Sequence, residues 1–218
     1  MPEVWRDGGE VVVRRHSIRG ALTTSRCKRK NSRDWLRLRA TMALTETQIQ
    51  QCVNDDQLFK LLSAELKLRL PEEEGFDLDL FLERTRTIPV GLRAMAATYQ
   101  LDVSITLDDL GWHFANWHHR GYCEETVWAL RELEAFEQAD IFAQAYALAQ
   151  PWWDKIGELI AKDFQDFVEW YPDSPLDQAT MPLTRRMWEL QEVDGGLLGC
   201  WPKYVRRYPH RVAQMATG

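Results

Sequence analysis

Glu124-Glu125-Thr126-Val127-Trp128-Ala129-Leu130-Arg131-Glu132-Leu133-Glu134-Ala135 and, after three intervening residues, Ala139-Asp140-Ile141-Phe142-Ala143-Gln144-Ala145-Tyr146-Ala147-Leu148-Ala149-Gln150 decide the fold class. Both stretches are rich in strong helix formers, with apolar residues recurring at helical spacing. The sequence predicts two successive amphipathic helices joined by a tight bend, the second ended by Pro151.

The same pattern extends in both directions. Thr106-Leu107-Asp108-Asp109 reads as a hydroxyl cap with acids in the first turn, followed by Leu110, Phe114 and Trp117 on one face and closed by Gly121. Pro89 suits the first position of a helix from Val90 to Tyr99 through Leu92, Met95 and Ala96. Asp77 or Asp79 can cap a short helix through Leu80, Phe81 and Leu82. Thr45-Glu46-Thr47-Gln48 is a capping-box pattern. Ile49, Val53, Leu58, Leu61, Leu62 and Leu66 form the stripe behind it, broken by Pro71 and the Glu72-Glu73-Glu74-Gly75 run. Towards the C-terminus a helix is expected from Asp154 to about Trp170, then a loop at Pro172 and Pro175. A last strong helix runs from Leu183 to Glu192 and stops at Asp194-Gly195-Gly196. Tyr204 to Val212 reads as a short terminal helix or an extended tail. No segment sustains a period of two, so strands are expected to be few or absent. The expected class is all-α: one compact multi-helix domain over 42–218, behind a basic extension over 1–41.

Charge is sorted along the chain. Residues 1–41 carry eleven Lys/Arg against four Asp/Glu, residues 42–177 ten against twenty-six, and residues 178–218 six against three. The middle stretch therefore has a net charge of −16 within a chain total of −6. A body that acidic repels nucleic acid and anionic membrane and attracts basic protein surfaces. Two readings of 1–41 stand side by side. It is upstream sequence before a working start at Met42, or it is a disordered basic tail. Arg14-Arg15 resembles a twin-arginine signal, but Gly20-Ala21-Leu22-Thr23-Thr24 is too short and polar for the apolar region that must follow.

With 218 residues and 45% hydrophobic content the chain can bury a substantial core. Ten tryptophans suggest that several indoles lie at the core edge or in an interface, where their N–H groups find partners. Cys27, Cys52, Cys123 and Cys200 are scattered, which fits reduced thiols in a cytoplasmic protein. No run of 18 apolar residues is present to span a membrane.

Catalytic signals are weak. His113, His118, His119 and Cys123 are the densest set of potential ligands and would suit zinc in a small metal-dependent hydrolase. Their spacing argues against it, because His113 and His118 are turned off a common helix face and no HExxH or paired CxxC frames them. Neighbouring Asp108 and Asp109 point apart on a helix, which suits capping better than acid/base work. Gly195, Gly196 and Gly199 lack the spacing and lysine of a phosphate loop. The expectation is no enzyme, no metal and no cofactor.

Leu101-Asp102, Phe114-Ala115-Asn116, Ala129-Leu130, the Ala-rich run from Ala139 to Ala149 and Tyr204-Val205-Arg206-Arg207-Tyr208-Pro209 carry a resemblance. Over Leu101–Pro151 and the tail the chain resembles the bacterial DNA-mimic protein family, small acidic helical proteins long classed as a domain of unknown function. It departs from the family's pattern where Asp108, Asp109 and Leu110 replace a glycine pair and an aromatic, and where a glycine is displaced to Gly121. The resemblance implies an all-α fold, a homodimer, and carboxylates that stand in for DNA phosphates. It also implies that Asn116, beside Phe114, hydrogen-bonds backbone at a helix end.

The expected function is an acidic regulator binding a basic DNA-binding protein in the place of DNA, or, as an immunity or antitoxin protein, capping a basic toxin. Direct binding to nucleic acid or membrane is not expected. Local charge density selects Glu72, Glu73, Glu74, Asp77 and Asp79, then Asp108, Asp109, Glu124 and Glu125, as the partner-binding carboxylates.

Overall fold

The computed structural model describes residues 6–7, 10–11, 44–70, 77–193 and 195–213. The chain divides into a unit over Met1–Thr41 and a unit over Met42–Gly218. In the first, strands β1 (Arg6–Asp7) and β2 (Glu10–Val11) pair antiparallel, with Arg6 opposite Val11 and Asp7 opposite Glu10. The second is all-α. Its helices are α1 (Glu46–Gln51), α2 (Asp55–Arg69), α3 (Leu78–Thr85), α4 (Val90–Leu107), α5 (Leu110–Asn116) and α6 (Arg120–Glu132). These are followed by α7 (Phe136–Ala149), α8 (Trp153–Lys162), α9 (Phe164–Trp170), α10 (Pro175–Gln191) and α11 (Gly196–Arg207). Short 3-10 turns at Gln150–Trp152 and Pro209–Arg211 complete it.

Side-chain caps decide where these helices start. The capping box is present, with Thr45 Oγ1 accepting from Gln48 N at 3.2 Å and Gln48 Oε1 from Thr45 N at 2.9 Å. The stripe from Ile49 to Leu66 is nevertheless two helices, because Asn54 Oδ1 accepts from Gln57 N and starts α2. Asp77, not Asp79, caps α3. The restart expected at Thr106 lies one turn too early, since α4 runs on to Leu107 and Asp109 is the cap of α5. His119 Nδ1 accepts from Tyr122 N at 3.0 Å and caps α6, so Gly121 belongs to the first turn of α6 instead of closing α5. The helix expected from Asp154 to Trp170 is divided by Asp163, whose carboxylate accepts from Gln165 N. At the other side, α10 begins eight residues before Leu183, with Ser174 as cap and Pro175 in the first position. Pro182 does not stop it, because that residue is on the exposed side where water reaches the backbone acceptor left without a donor.

The tight bend between α6 and α7 is a complete Schellman closure: Glu134 N donates to Arg131 O at 3.1 Å and Ala135 N to Leu130 O at 2.9 Å. Glu134 occupies the left-handed position at φ 61°, usually given to glycine. Its carboxylate is held there by Arg207 Nη1 and Tyr208 Oη, both at 2.7 Å.

Two apolar clusters fill the body. Phe114, Phe142, Trp153, Phe167, Tyr171 and Met187 join α5 with α7 to α10. Leu58, Leu62, Leu92, Met95, Trp201 and Val205 lock α2, α4 and α11 together. Burying each such side chain is worth roughly 1.5–3 kcal/mol. The tryptophans divide as expected for amphipathic rings: Trp153 and Trp201 are buried, while Trp188 remains 39% exposed. Among the described residues no helix is long and apolar enough to cross a membrane.

Candidate protein-binding surface

The expected partner-binding carboxylates do not share one role. Glu72, Glu73 and Glu74 lie outside the described residues. Asp77 is exposed at the start of α3, and Asp79, also exposed, faces His119 Nε2 at 3.0 Å. Glu124 is exposed on α6. Asp108 is exposed as well, its carboxyl held above the usual range by partial desolvation and by the charge of Asp109. Asp109 and Glu125 turn inward, at 8% and 7% exposure. Asp109 Oδ1 accepts from Trp112 N at 2.9 Å and from the Tyr171 hydroxyl at 2.8 Å. Burial pushes its carboxyl up, opposed by those hydrogen bonds. Glu125 takes both Nε and Nη2 of Arg93, which lies 4.2 Å over the Trp128 ring. Neither carboxylate has a free face to offer a partner, because spacing along a helix does not tell which acid meets an internal donor.

The Phe114-Ala115-Asn116 segment is placed differently from the expectation for its asparagine. Phe114 is fully buried. Asn116 is exposed as the last residue of α5, and its amide makes no hydrogen bond among the described residues. The helix end is closed without it, by Trp117 N donating to His113 O at 2.9 Å.

The potential metal ligands are dispersed. His113 is fully buried, with Nδ1 2.9 Å from Ser104 Oγ and Nε2 unpartnered, and burial lowers its pKa to about 3. His118 stacks on Trp153 and places Nε2 2.9 Å from its carbonyl oxygen. His119 spends both nitrogens on the α6 cap and Asp79. The Cys123 thiol is buried and pushed well above its usual range by desolvation. Among the described residues no group of three or more His, Cys, Asp or Glu side chains is placed to hold a metal ion.

Ion pairs redistribute the charge that the sequence sorts by position. Arg206, Arg207 and Arg211 of the basic C-terminal stretch close onto Asp55, Glu134 and Glu132, and Arg186 onto Glu137 and Glu189. Those acids are thereby neutralised by the chain itself. Residues Asp154 to Asp177 carry seven acids against Lys155 and Lys162, and only Asp154 and Asp166 of the seven are ion-paired among the described residues, to Arg120 and Lys162. Within that stretch Glu158, Asp163, Glu169 and Asp173 are exposed and form no ion pair among the described residues. The signal that could have found them is the run of acids itself, which the denser Glu72–Glu74 run outweighed.

A groove of about 490 Å³ opens where the end of α10 meets α4 and the start of α11. Asp102, Ile105, Thr106, Trp188, Glu192 and Gly195 are among its lining residues. Asp102 Oδ1 accepts from Gln191 Nε2 at 2.9 Å, and Gln191 Oε1 accepts from Leu197 N at 2.8 Å, which ties the carboxylate to the α10–α11 junction. Desolvation holds the Asp102 carboxyl above its usual range, opposed by the Gln191 bond. The Trp188 N–H donates to Ile105 O at 3.0 Å and Asp108 O at 3.2 Å, fixing the indole at the groove wall. Asp102 entered the sequence reading only as half of a leucine-aspartate pair, since nothing local shows that α10 and α11 will close a groove over it.

Compared with protein-family models, with curated proteins and with solved structures, the chain matches none.

Proposed function

We propose that this acidic helical protein is a non-catalytic regulator that binds a basic protein partner, and that it does so by occupying a surface meant for DNA. The observation that carries this reading is the fate of the chain's own cations. Arg186, Arg206, Arg207 and Arg211 are engaged with Glu137, Asp55, Glu134 and Glu132, so these four do not offset the exposed acids between Asp154 and Asp177. The described helical body keeps sixteen Lys/Arg against twenty-five Asp/Glu. Carboxylates carried on packed helices are preorganised, and arginine or lysine side chains that bind phosphates accept them as substitutes. Asp77, Asp79, Asp108 and Glu124 are the expected acids with exposed carboxylates, and Glu158, Asp163, Glu169 and Asp173 join them.

The test is affinity capture with the full chain, followed by a salt titration against the captured partner. The expected result is a basic DNA-binding protein whose affinity falls at least tenfold between about 50 and 200 mM salt, and which a DNA duplex displaces. An acidic partner, or binding indifferent to salt, overturns the proposal. A basic partner that binds the protein and a duplex at the same time overturns DNA imitation alone.

A further inference from the structure

We infer that the groove between α4 and the end of α10 is a receptor for an arginine side chain of the partner, an inference that rests on the basic-partner reading above. Three features converge there. Asp102 is a half-buried carboxylate that makes no ion pair among the described residues, although desolvation disfavours its charge. Its free oxygen, Oδ2, has no hydrogen-bond partner among them either, while Oδ1 is held by Gln191. A second carboxylate, Glu192, is exposed at the rim. Trp188, lining the same groove, has its indole N–H pinned by two backbone carbonyls and is still 39% exposed.

An aromatic face beside two carboxylates, in a space of about 490 Å³, selects a cation with a flat apolar surface. A guanidinium meets that description better than an ammonium, because it stacks on an indole and presents a planar fork to a carboxylate. Glycine at 195 leaves the groove edge without a side chain, so a partner backbone can come close. Neither Arg185 nor Arg186, the two cations before Trp188 on α10, is among the lining residues, and Arg186 is engaged with Glu137 and Glu189. The rigid Asp102–Gln191–Leu197 chain lowers the cost of ordering the site when the cation enters.

The probe is an N-acetylated, C-amidated tri-arginine peptide, titrated into the ¹⁵N-labelled full chain while the tryptophan indole N–H signals are followed by NMR. A Trp188→Phe variant assigns the Trp188 signal. The expected result is a saturable shift of that signal, weakened at least tenfold in affinity by Asp102→Asn and less by Glu192→Gln, with tri-lysine binding several-fold more weakly. Shifts confined to other acidic surfaces, equal affinity in Asp102→Asn, or equal effects of tri-lysine would overturn the arginine receptor. Those failures are separable from failure of the basic-partner reading. Capture of a basic partner whose affinity is the same for Asp102→Asn sinks only the groove, whereas capture of an acidic partner sinks the wider reading.

Discussion

Arg93 on α4 grips Glu125 on α6 through two hydrogen bonds, Nε to Oε1 at 2.5 Å and Nη2 to Oε2 at 2.7 Å. The carboxylate is 7% exposed and the guanidinium 26%, so the pair works largely out of water. Removing one charge leaves the other desolvated without its partner. Glu125→Gln is expected to cost about 2 kcal/mol, below the full penalty of a completely buried pair because Arg93 keeps some solvent. Glu124→Gln, one residue away and exposed, should stay within about 0.5 kcal/mol of wild type. Urea denaturation of both variants checks this, and equal losses would contradict the assignment of Glu125 to the fold.

Asp109 supports two contacts at once, the α5 cap and the Tyr171 hydroxyl. Asp109→Ala should therefore lose about 2 kcal/mol, roughly one for a cap and one for a buried hydrogen bond. Asp109→Asn keeps an acceptor for Trp112 N and should recover about half of that loss. Asp108→Ala should change stability by no more than about 0.5 kcal/mol. Thermal or urea unfolding of the three variants measures the ordering.

Gly111 lies against the same tyrosine. A Cβ added there would overlap the Tyr171 ring, so Gly111→Ala should destabilise by roughly 1–3 kcal/mol through overpacking, despite alanine's better helix propensity. A gain in stability in the urea transition would show that the Gly111–Tyr171 contact is looser than described.

Much of this architecture is legible from residues 124–150 outward, because caps and periodicity act locally. The Thr45–Gln48 box and the two helices meeting at Glu134 follow from short-range hydrogen bonds that neighbouring residues supply. What stays hidden is tertiary. Pro182 reads as a break until α10 is seen to carry it on its exposed side, and His119 reads as a potential ligand until its ring is found capping α6. The inward turn of Asp109 and Glu125 depends on Tyr171 and Arg93, 62 and 32 residues away in sequence. Charge density along the chain is blind to such partners.

His113 gives the fold a pH dependence with a definite sign. Burial lowers its pKa from 6.5 to about 3, so the unfolded chain binds a proton that the folded one refuses. The stabilisation is complete above pH 6.5 and is lost progressively as pH falls from there towards 3. Between pH 7 and 5 this group alone should remove about 2 kcal/mol. The raised carboxyls of Asp102 and Asp109 act in the opposite sense, since they take up protons more readily when folded. Urea titrations of wild type and His113→Leu across that interval isolate the histidine: the variant's slope should be shallower. Parallel slopes would mean that the ring is not held neutral.

On the proposed reading, exposed carboxylates on the helical body hold a basic partner by charge. It is tested by partner affinity against ionic strength for wild type and for a variant combining Glu158→Gln, Asp163→Asn and Glu169→Gln. Asparagine at 163 keeps a capping oxygen, so the fold should be preserved. The variant should bind at least tenfold more weakly at low salt, with a shallower salt slope and convergence of the two curves as salt rises. Superimposable curves would contradict it.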